Sequence, residues 1–358
     1  MTVTQEQVLS ALRSVADPDL KRDIVSLGFI KDVRIEGETV DFTIELTTPA
    51  CPVRDQMKSQ AEDAVAALPG VKEARATMTA NVRPRVPPSA ESIPGIRNVV
   101  AVGAGKGGVG KTTAAVNIAV ALSLEGARVG LIDGDIYGPN VPQMLGLDAP
   151  PEVTAERRLV PPQAHGVKVV SMGMLVPPDQ AVIWRGPMLH SAVRQFLHDV
   201  EWGELDYLVV DLPPGTGDVS LSMAQSVPLA GAILVTTPQG VSVSDVRKAA
   251  AMFRQLRVPI LGVIENMSHF LCGHCGERTD IFGHGGGQTM AETLGIPFLG
   301  DIPIDTSVRI GGDEGRPIVV AAPDVAAARA FRGVARQLAA QISIQTARTL
   351  PLVNAPQS

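Results

Sequence analysis

Hydrophobic and polar positions follow different rhythms along the chain. Near the N-terminus the apolar residues Val8, Leu9, Leu12 and Val15 recur at helical spacing. From Ile30 to Leu46 apolar and polar residues alternate on both sides of Glu36-Gly37-Glu38, which predicts a β-hairpin. Residues 53–68 return to a helical rhythm, and residues 71–78 predict a closing strand. Together these elements make a small α+β domain over residues 1–82. The pattern then stops. Residues 83–95 hold Pro84, Pro87, Pro88 and Pro94 among small polar residues, a composition that suits neither a helix nor a central strand and reads as a linker.

The longest region, residues 96–347, has a different rhythm. Short runs rich in Val and Ile recur: VVAVGA, RVGLID, VKVVSM, YLVVD, GAILVT and ILGVIE. Longer stretches of helical spacing separate several of them, such as KTTAAVNIAVALSLEG. Strands apolar on both faces belong to a parallel sheet covered by helices. The expected fold class is α/β, a doubly wound and mostly parallel sheet preceded by the small α+β domain. An Ala-rich helix and a loose tail over residues 348–358 close the chain.

Composition narrows the function. Hydrophobic residues make up 45% of the 358 and aromatics only 3%, so the core is aliphatic. A net charge of -6 disfavours broad binding to nucleic acid or anionic lipid, both of which reward basic patches. No apolar run approaches the roughly 18–20 residues that span a bilayer, and the first residues lack the apolar core of a signal peptide. Three cysteines do not make a disulfide framework. These features lead us to expect a cytoplasmic protein with reduced thiols and neither nucleic-acid nor membrane partners.

The candidate chemistry begins at the first Val-rich run. Gly105 to Thr112 fits G-x-x-x-x-G-K-[ST] between a strand and a helix, the context a phosphate loop requires. Gly105, Lys106, Gly107, Gly108, Val109, Gly110, Lys111, Thr112 and Thr113 are therefore the expected nucleotide-binding stretch, in a P-loop NTPase domain. Backbone N–H groups and the helix N-terminus suit phosphate oxygens. Lys111 is placed to reach the β- and γ-phosphates, and the Thr112 hydroxyl to bind Mg2+. Lys106, just after the first glycine, is the deviant feature. Asp133 and Asp135 leave the next strand, where doubly wound sheets place ligand sites. Asp133 is expected to support Mg2+, and Asp135 to orient or activate the attacking water. Asp211 ends a fully apolar strand, as an acid holding a Mg2+-bound water does. PPGTGD follows it as a candidate switch, with Asp218 either relaying the signal or capping a helix.

A second chemistry lies in ENMSHFLCGHCGERTDIFGHGGG, where Cys272 and Cys275 form a C-x-x-C with no second such pair in the chain. Three readings stand together: a redox pair, a zinc site recruiting His269, His274 or His284, and half of a four-thiolate site completed by a second copy.

GKGGVGKTT, DGDIYGPN, DLPPGTGD, ENMS and CGHCG together resemble the Mrp/ApbC family of iron–sulfur cluster carrier ATPases, within the MinD/ParA-like class of deviant phosphate loops. The resemblance covers roughly residues 96–345. It implies ATP binding and hydrolysis, a homodimer in which Lys106 reaches the partner's nucleotide, and Lys106, Lys111 and Asp135 as catalytic residues. It also implies a labile [4Fe–4S] cluster bridged by Cys272 and Cys275 of each subunit and passed to apo-proteins, with cluster scaffold proteins as further partners; zinc is the alternative occupant in purified material. Asn266 is assigned to adenine and Asp305, within GDIPIDTSVR, to closure over the base. Residues 1–82 resemble the small SufT-like iron–sulfur assembly domain through DPDLKRDIVSLGFI and LTTPACPVRDQM, with Asp17 and Cys51 its reactive-looking residues. Cys51, near a helix start, is either an activated thiol or a buried structural one. Two other functions share parts of this pattern: a MinD/ParA-type positioning ATPase and an ATP-dependent scaffold with structural zinc.

Overall fold

The computed structural model describes residues 3–85, 93–135, 138–171, 174 and 197–349. These fall into two compact units, one within residues 1–85 and 339–358 and one within 86–338. Most of the proline-rich stretch and residues 350–358 lie outside the described residues.

In the first unit, helix α1 (Gln5–Leu12) starts with a capping box in which Thr4 accepts from the Gln7 backbone N–H and the Gln7 side chain accepts from the Thr4 N–H. Strands β1 (Ile30–Glu36) and β2 (Thr39–Leu46) pair antiparallel around Gly37, whose φ of 65° suits glycine in the tight turn. Helix α2 (Arg54–Ala66) then crosses over to β3 (Glu73–Ala80), which pairs parallel to β2. Val8, Leu12, Phe42, Ile44, Met57 and Val65 fill the core between helices and sheet. The expected helix, hairpin, helix and strand are all present.

The second unit is a seven-stranded parallel sheet with short antiparallel additions at its ends. Its strands are β4 (Ile96–Ala104), β5 (Val129–Asp133), β6 (Val167–Ser171), β7 (Leu205–Asp211), β8 (Gly231–Thr236), β9 (Ile260–Leu271) and β10 (Phe298–Ile304). Their spatial order is β6-β5-β7-β4-β8-β9-β10. Each Val-rich run of the sequence is one of the first six of these strands. β5, β7 and β8 are buried at every position, as strands covered on both faces must be. The main helices are α3 (Lys111–Leu124), α4 (Asp218–Ser226), α5 (Gly240–Gln255), α6 (Gly286–Leu294), α7 (Thr306–Asp313) and α8 (Ala326–Thr349), of which residues 339 onward belong to the first unit. α3 is buried almost all round, with every residue from Ala114 to Leu122 out of solvent.

The chain crosses from one half of the sheet to the other at β4, which lies between β7 and β8. Doubly wound sheets place ligands beyond the C-terminal ends of the strands at such a point. Gly105, Asp133 and Asp211 all lie there, at the ends of β4, β5 and β7. Among the described residues, no helix is long and apolar enough to cross a membrane.

Candidate functional site

The loop after β4 is shaped by close contacts that only glycine permits. A Cβ on Gly105 would lie 2.2 Å from the backbone carbon of Asp245 in α5. A Cβ on Gly110 would lie 2.2 Å from Asn266 Nδ2, and Gly110 itself takes φ 79° as the residue capping α3. Gly108 also has φ 79°, in open space. The turn presents the N-terminus of α3 to a cavity of about 620 Å³ lined by Thr112, Thr113, Asn266, Ile302, Pro303 and Asp305 among others. That size falls within the range of small-molecule sites.

Lys111, Thr112 and Asp211 meet at the base of this loop. Thr112 Oγ1 donates to Asp211 Oδ2 at 2.7 Å. Lys111 Nζ lies 2.6 Å from Asp211 Oδ1, an ion contact whose direction leaves that buried oxygen without an aligned hydrogen bond. Lys111 is 6% exposed and Asp211 fully buried. Burial raises the Asp211 carboxyl above the ordinary carboxylate range, while Lys111 and the Thr112 hydroxyl pull it back.

Asp133 is fully buried as well. Its carboxylate accepts from the backbone N–H groups of Asp135 (3.2 Å) and Val141 (3.2 Å) and from the Ser171 hydroxyl (3.0 Å). Burial, and after it the facing charge of Asp211, push its carboxyl up to about 7 despite these donors. Gly134 N–H donates to the Asp211 carbonyl at 2.9 Å, and a Cβ there would collide with Met223, so the Asp-Gly-Asp turn is pinned to the end of β7.

The other expected site residues are dispersed. Lys106 is half-buried and in no ion pair among the described residues. Asn266 is buried, and its Nδ2 donates to the Val109 carbonyl at 2.9 Å, bracing the phosphate loop. Asp305 caps α7 by accepting from Ser307 N–H at 2.8 Å on the cavity wall. Asp218 is the first residue of α4, and the capping position belongs to Gly217. In the first unit, Asp17 accepts from the N–H groups of Asp19 and Leu20 in a turn. Cys51 is not activated: burial pushes its thiol up to about 11, overriding the N–H of Val53 at the helix start.

Cys272 and Cys275 occupy the tip of a hairpin formed by the end of β9 and the short strand Arg278–Thr279. Cys272 N–H donates to the Glu277 carbonyl and Gly276 N–H to the Cys272 carbonyl, closing the turn. The backbone N–H groups of Cys275 and His274 hold the Cys272 thiol below its ordinary range. Cys275 is exposed. Among the described residues, no histidine or carboxylate joins the two sulfurs in a three-ligand group.

Residues 95–339 match the family described as NUBPL iron-transfer P-loop NTPases, and residues 5–78 match the iron-sulfur cluster assembly protein family. The chain belongs to the iron-transfer P-loop NTPase family. A protein of Synechocystis named iron-sulfur cluster carrier protein is 49% identical over 348 residues, covering 96% of this chain and 99% of its own. One of that name from Deinococcus radiodurans is also 49% identical, covering 97% and 98%. Among solved structures, a nucleotide-binding protein of Archaeoglobus fulgidus in complex with ADP is 39% identical, with a TM-score of 0.57 over 63% of this chain and 89% of its own. The cell division ATPase MinD of Pyrococcus furiosus is 25% identical, with a TM-score of 0.53 over 67% and 97%. This chain thus joins an iron-sulfur cluster assembly region to the NTPase region.

Sequence reasoning missed Ser171 and Glu265. Ser171 lies at the end of β6, whose register with β5 pairs it with Asp133. Glu265 is fully buried in β9 and accepts from Gly285 N–H (2.9 Å) and Gly287 N–H (2.6 Å) at the start of α6. Its signal was an acid inside an apolar strand followed some twenty residues on by a glycine-rich helix start.

Two outcomes follow from this geometry. Gly105→Ala forces a clash with helix backbone and is expected to cost about 1–3 kcal/mol, whereas Gly107→Ala, with nothing within 4 Å of its Cβ, leaves stability nearly unchanged in thermal melts. Asp133 holds a proton in the fold up to about 7, against an ordinary 3.8. Its stabilising contribution is present at low pH and lost as pH rises through about 7. Without nucleotide, the melting temperature is expected to fall by on the order of 5 °C between roughly pH 5 and 8, and Asp133→Asn to flatten that fall.

Proposed function

We propose that this chain binds and hydrolyses ATP and, as a homodimer, carries a labile [4Fe–4S] cluster between the Cys272 and Cys275 pairs of two subunits for delivery to apo-proteins. The observation that carries the reading is a two-cysteine hairpin with no third ligand among the described residues, in the same unit as a formed phosphate loop. Four thiolates are the usual count for such a cluster, and a two-fold contact supplies the second pair from an identical loop. The hairpin region also exposes Leu271, Ile281 and Phe282, apolar surface suited to a partner copy. The names of the Synechocystis and Deinococcus relatives support the cargo.

The phosphate loop supports the nucleotide half. Lys111 leaves Asp211 for the β- and γ-phosphates, and Asp135 orients the attacking water. Lys106, unpaired within the described residues of its own chain, is the group that reaches the nucleotide of the partner. The donor set around the orphaned Asp211 oxygen fits Mg2+, which Thr112, Asp211 and Asp133 would hold. When bound, that ion neutralises phosphate charge.

One strand joins the two halves. In β9, Asn266 holds the phosphate loop by its Val109 carbonyl, and Cys272 follows six positions later, directly after the last residue of the strand. Between them Met267 takes φ 55° and the pairing with β10 shifts register, an irregularity through which a change at the loop reaches the hairpin.

The test is anaerobic reconstitution with iron and sulfide, followed by cluster transfer to an apo-enzyme with and without ATP. Wild type is expected to retain about four iron and four sulfide per dimer, and Cys272→Ala less than about a tenth of that. Equal content in the variant, or zinc in place of iron in protein isolated anaerobically, contradicts the cluster reading. Strong ATP-dependent pelleting with lipid or DNA would favour a positioning ATPase instead.

A further inference from the structure

We infer that His269, His284 and Asp301 form a binding site for one divalent first-row transition metal, separate from the cysteine pair. One ligand atom from each of the three lies within 4.8 Å of the others. They come from three elements: His269 from β9, Asp301 from the adjacent β10, and His284 from the loop before α6. The rings of the two histidines meet nearly edge-on, 83° apart, with centroids 6.2 Å apart.

The hydrogen bonding leaves this group poised rather than satisfied. His269 Nδ1 is buried and lies 3.3 Å from Asp301 Oδ2, yet makes no aligned hydrogen bond. A buried nitrogen of this kind costs free energy unless something completes it. His284 is oriented by a relay. Ser268 Oγ donates to Glu265 Oε1 at 2.8 Å, since the carboxylate can only accept. The serine hydrogen is thereby committed, so His284 Nδ1, 2.7 Å from the same hydroxyl, must be the protonated nitrogen. Its Nε2 keeps the lone pair that a metal needs. Glu265 is itself fixed by two backbone N–H groups at the start of α6. A carboxylate acting through a hydroxyl to set a histidine tautomer is the outer support that metal-binding histidines usually have.

Two imidazoles and one carboxylate suit Zn2+, Fe2+ or Co2+ rather than the all-oxygen ions Mg2+ and Ca2+ or thiophilic Cu+. Three protein ligands leave a coordination position for water or an incoming ligand. The alternative is a histidine–aspartate contact beside a capped helix that binds no metal.

The test uses the full chain with Cys272→Ser and Cys275→Ser, so that the C-x-x-C sulfurs cannot bind and Cys51 is the one thiol left. Anaerobic titration with Co2+ is followed by visible absorption and equilibrium dialysis. One equivalent is expected, with ligand-field bands and no sulfur-to-cobalt charge-transfer band. His284→Ala and Asp301→Asn, both at partly exposed side chains, are each expected to weaken binding about tenfold or more. Metal-free melting curves confirm that each variant is folded. Binding of less than about half an equivalent at excess Co2+, or unchanged affinity in either folded variant, overturns the site.

Discussion

The second unit is organised around the ion contact of Lys111 with Asp211. Two buried carboxylates, Asp211 and Asp133, stand at the ends of adjacent strands, and one buried lysine balances them. That leaves an excess of negative charge in a place without water, which is unfavourable unless a proton or a cation joins it. Burial and the facing charge of Asp211 push the Asp133 carboxyl up to about 7, which favours a proton there. A phosphate loop needs the same lysine for phosphate, so nucleotide and carboxylates compete for one cation. The fold stores that competition in strand ends fixed by a parallel ladder, where small shifts are resisted by the whole sheet.

Much of this was legible in the sequence, for identifiable reasons. The phosphate loop is a contiguous pattern between a strand and a helix, and strand-terminal acids stand out against Val-rich runs. Six of the seven parallel strands coincide with those runs, and the seventh, Phe298–Ile304, was not among them. What was not legible depends on contacts between distant segments. Ser171 reaches Asp133 across two strands 38 positions apart. Asn266 serves the loop backbone from 157 positions away, an interaction invisible in its own neighbourhood. Cys51 had the local setting of a reactive thiol, but burial, a tertiary property, reverses the effect.

The cysteine hairpin and the phosphate loop are both tied to β9. Glu265, Asn266, Ser268 and His269 follow one another along the strand, and Cys272 comes directly after its end, all within eight residues. The strand is held at one end by a helix cap and a loop carbonyl, and its far end projects as an exposed turn. A rigid base with an exposed tip suits the proposed role of the cysteine pair as half of a site completed by a second copy.

A carboxyl held at about 7 by burial and by Asp211 is expected to give up its proton when Mg·nucleotide brings a cation to the site. Calorimetric titration with Mg·ADP at about pH 7, in buffers of different ionisation enthalpy, measures that proton directly. The prediction is net release of roughly half a proton per site in wild type, largely absent in Asp133→Asn. Equal apparent enthalpies in all buffers, or the same release from the variant, would contradict it.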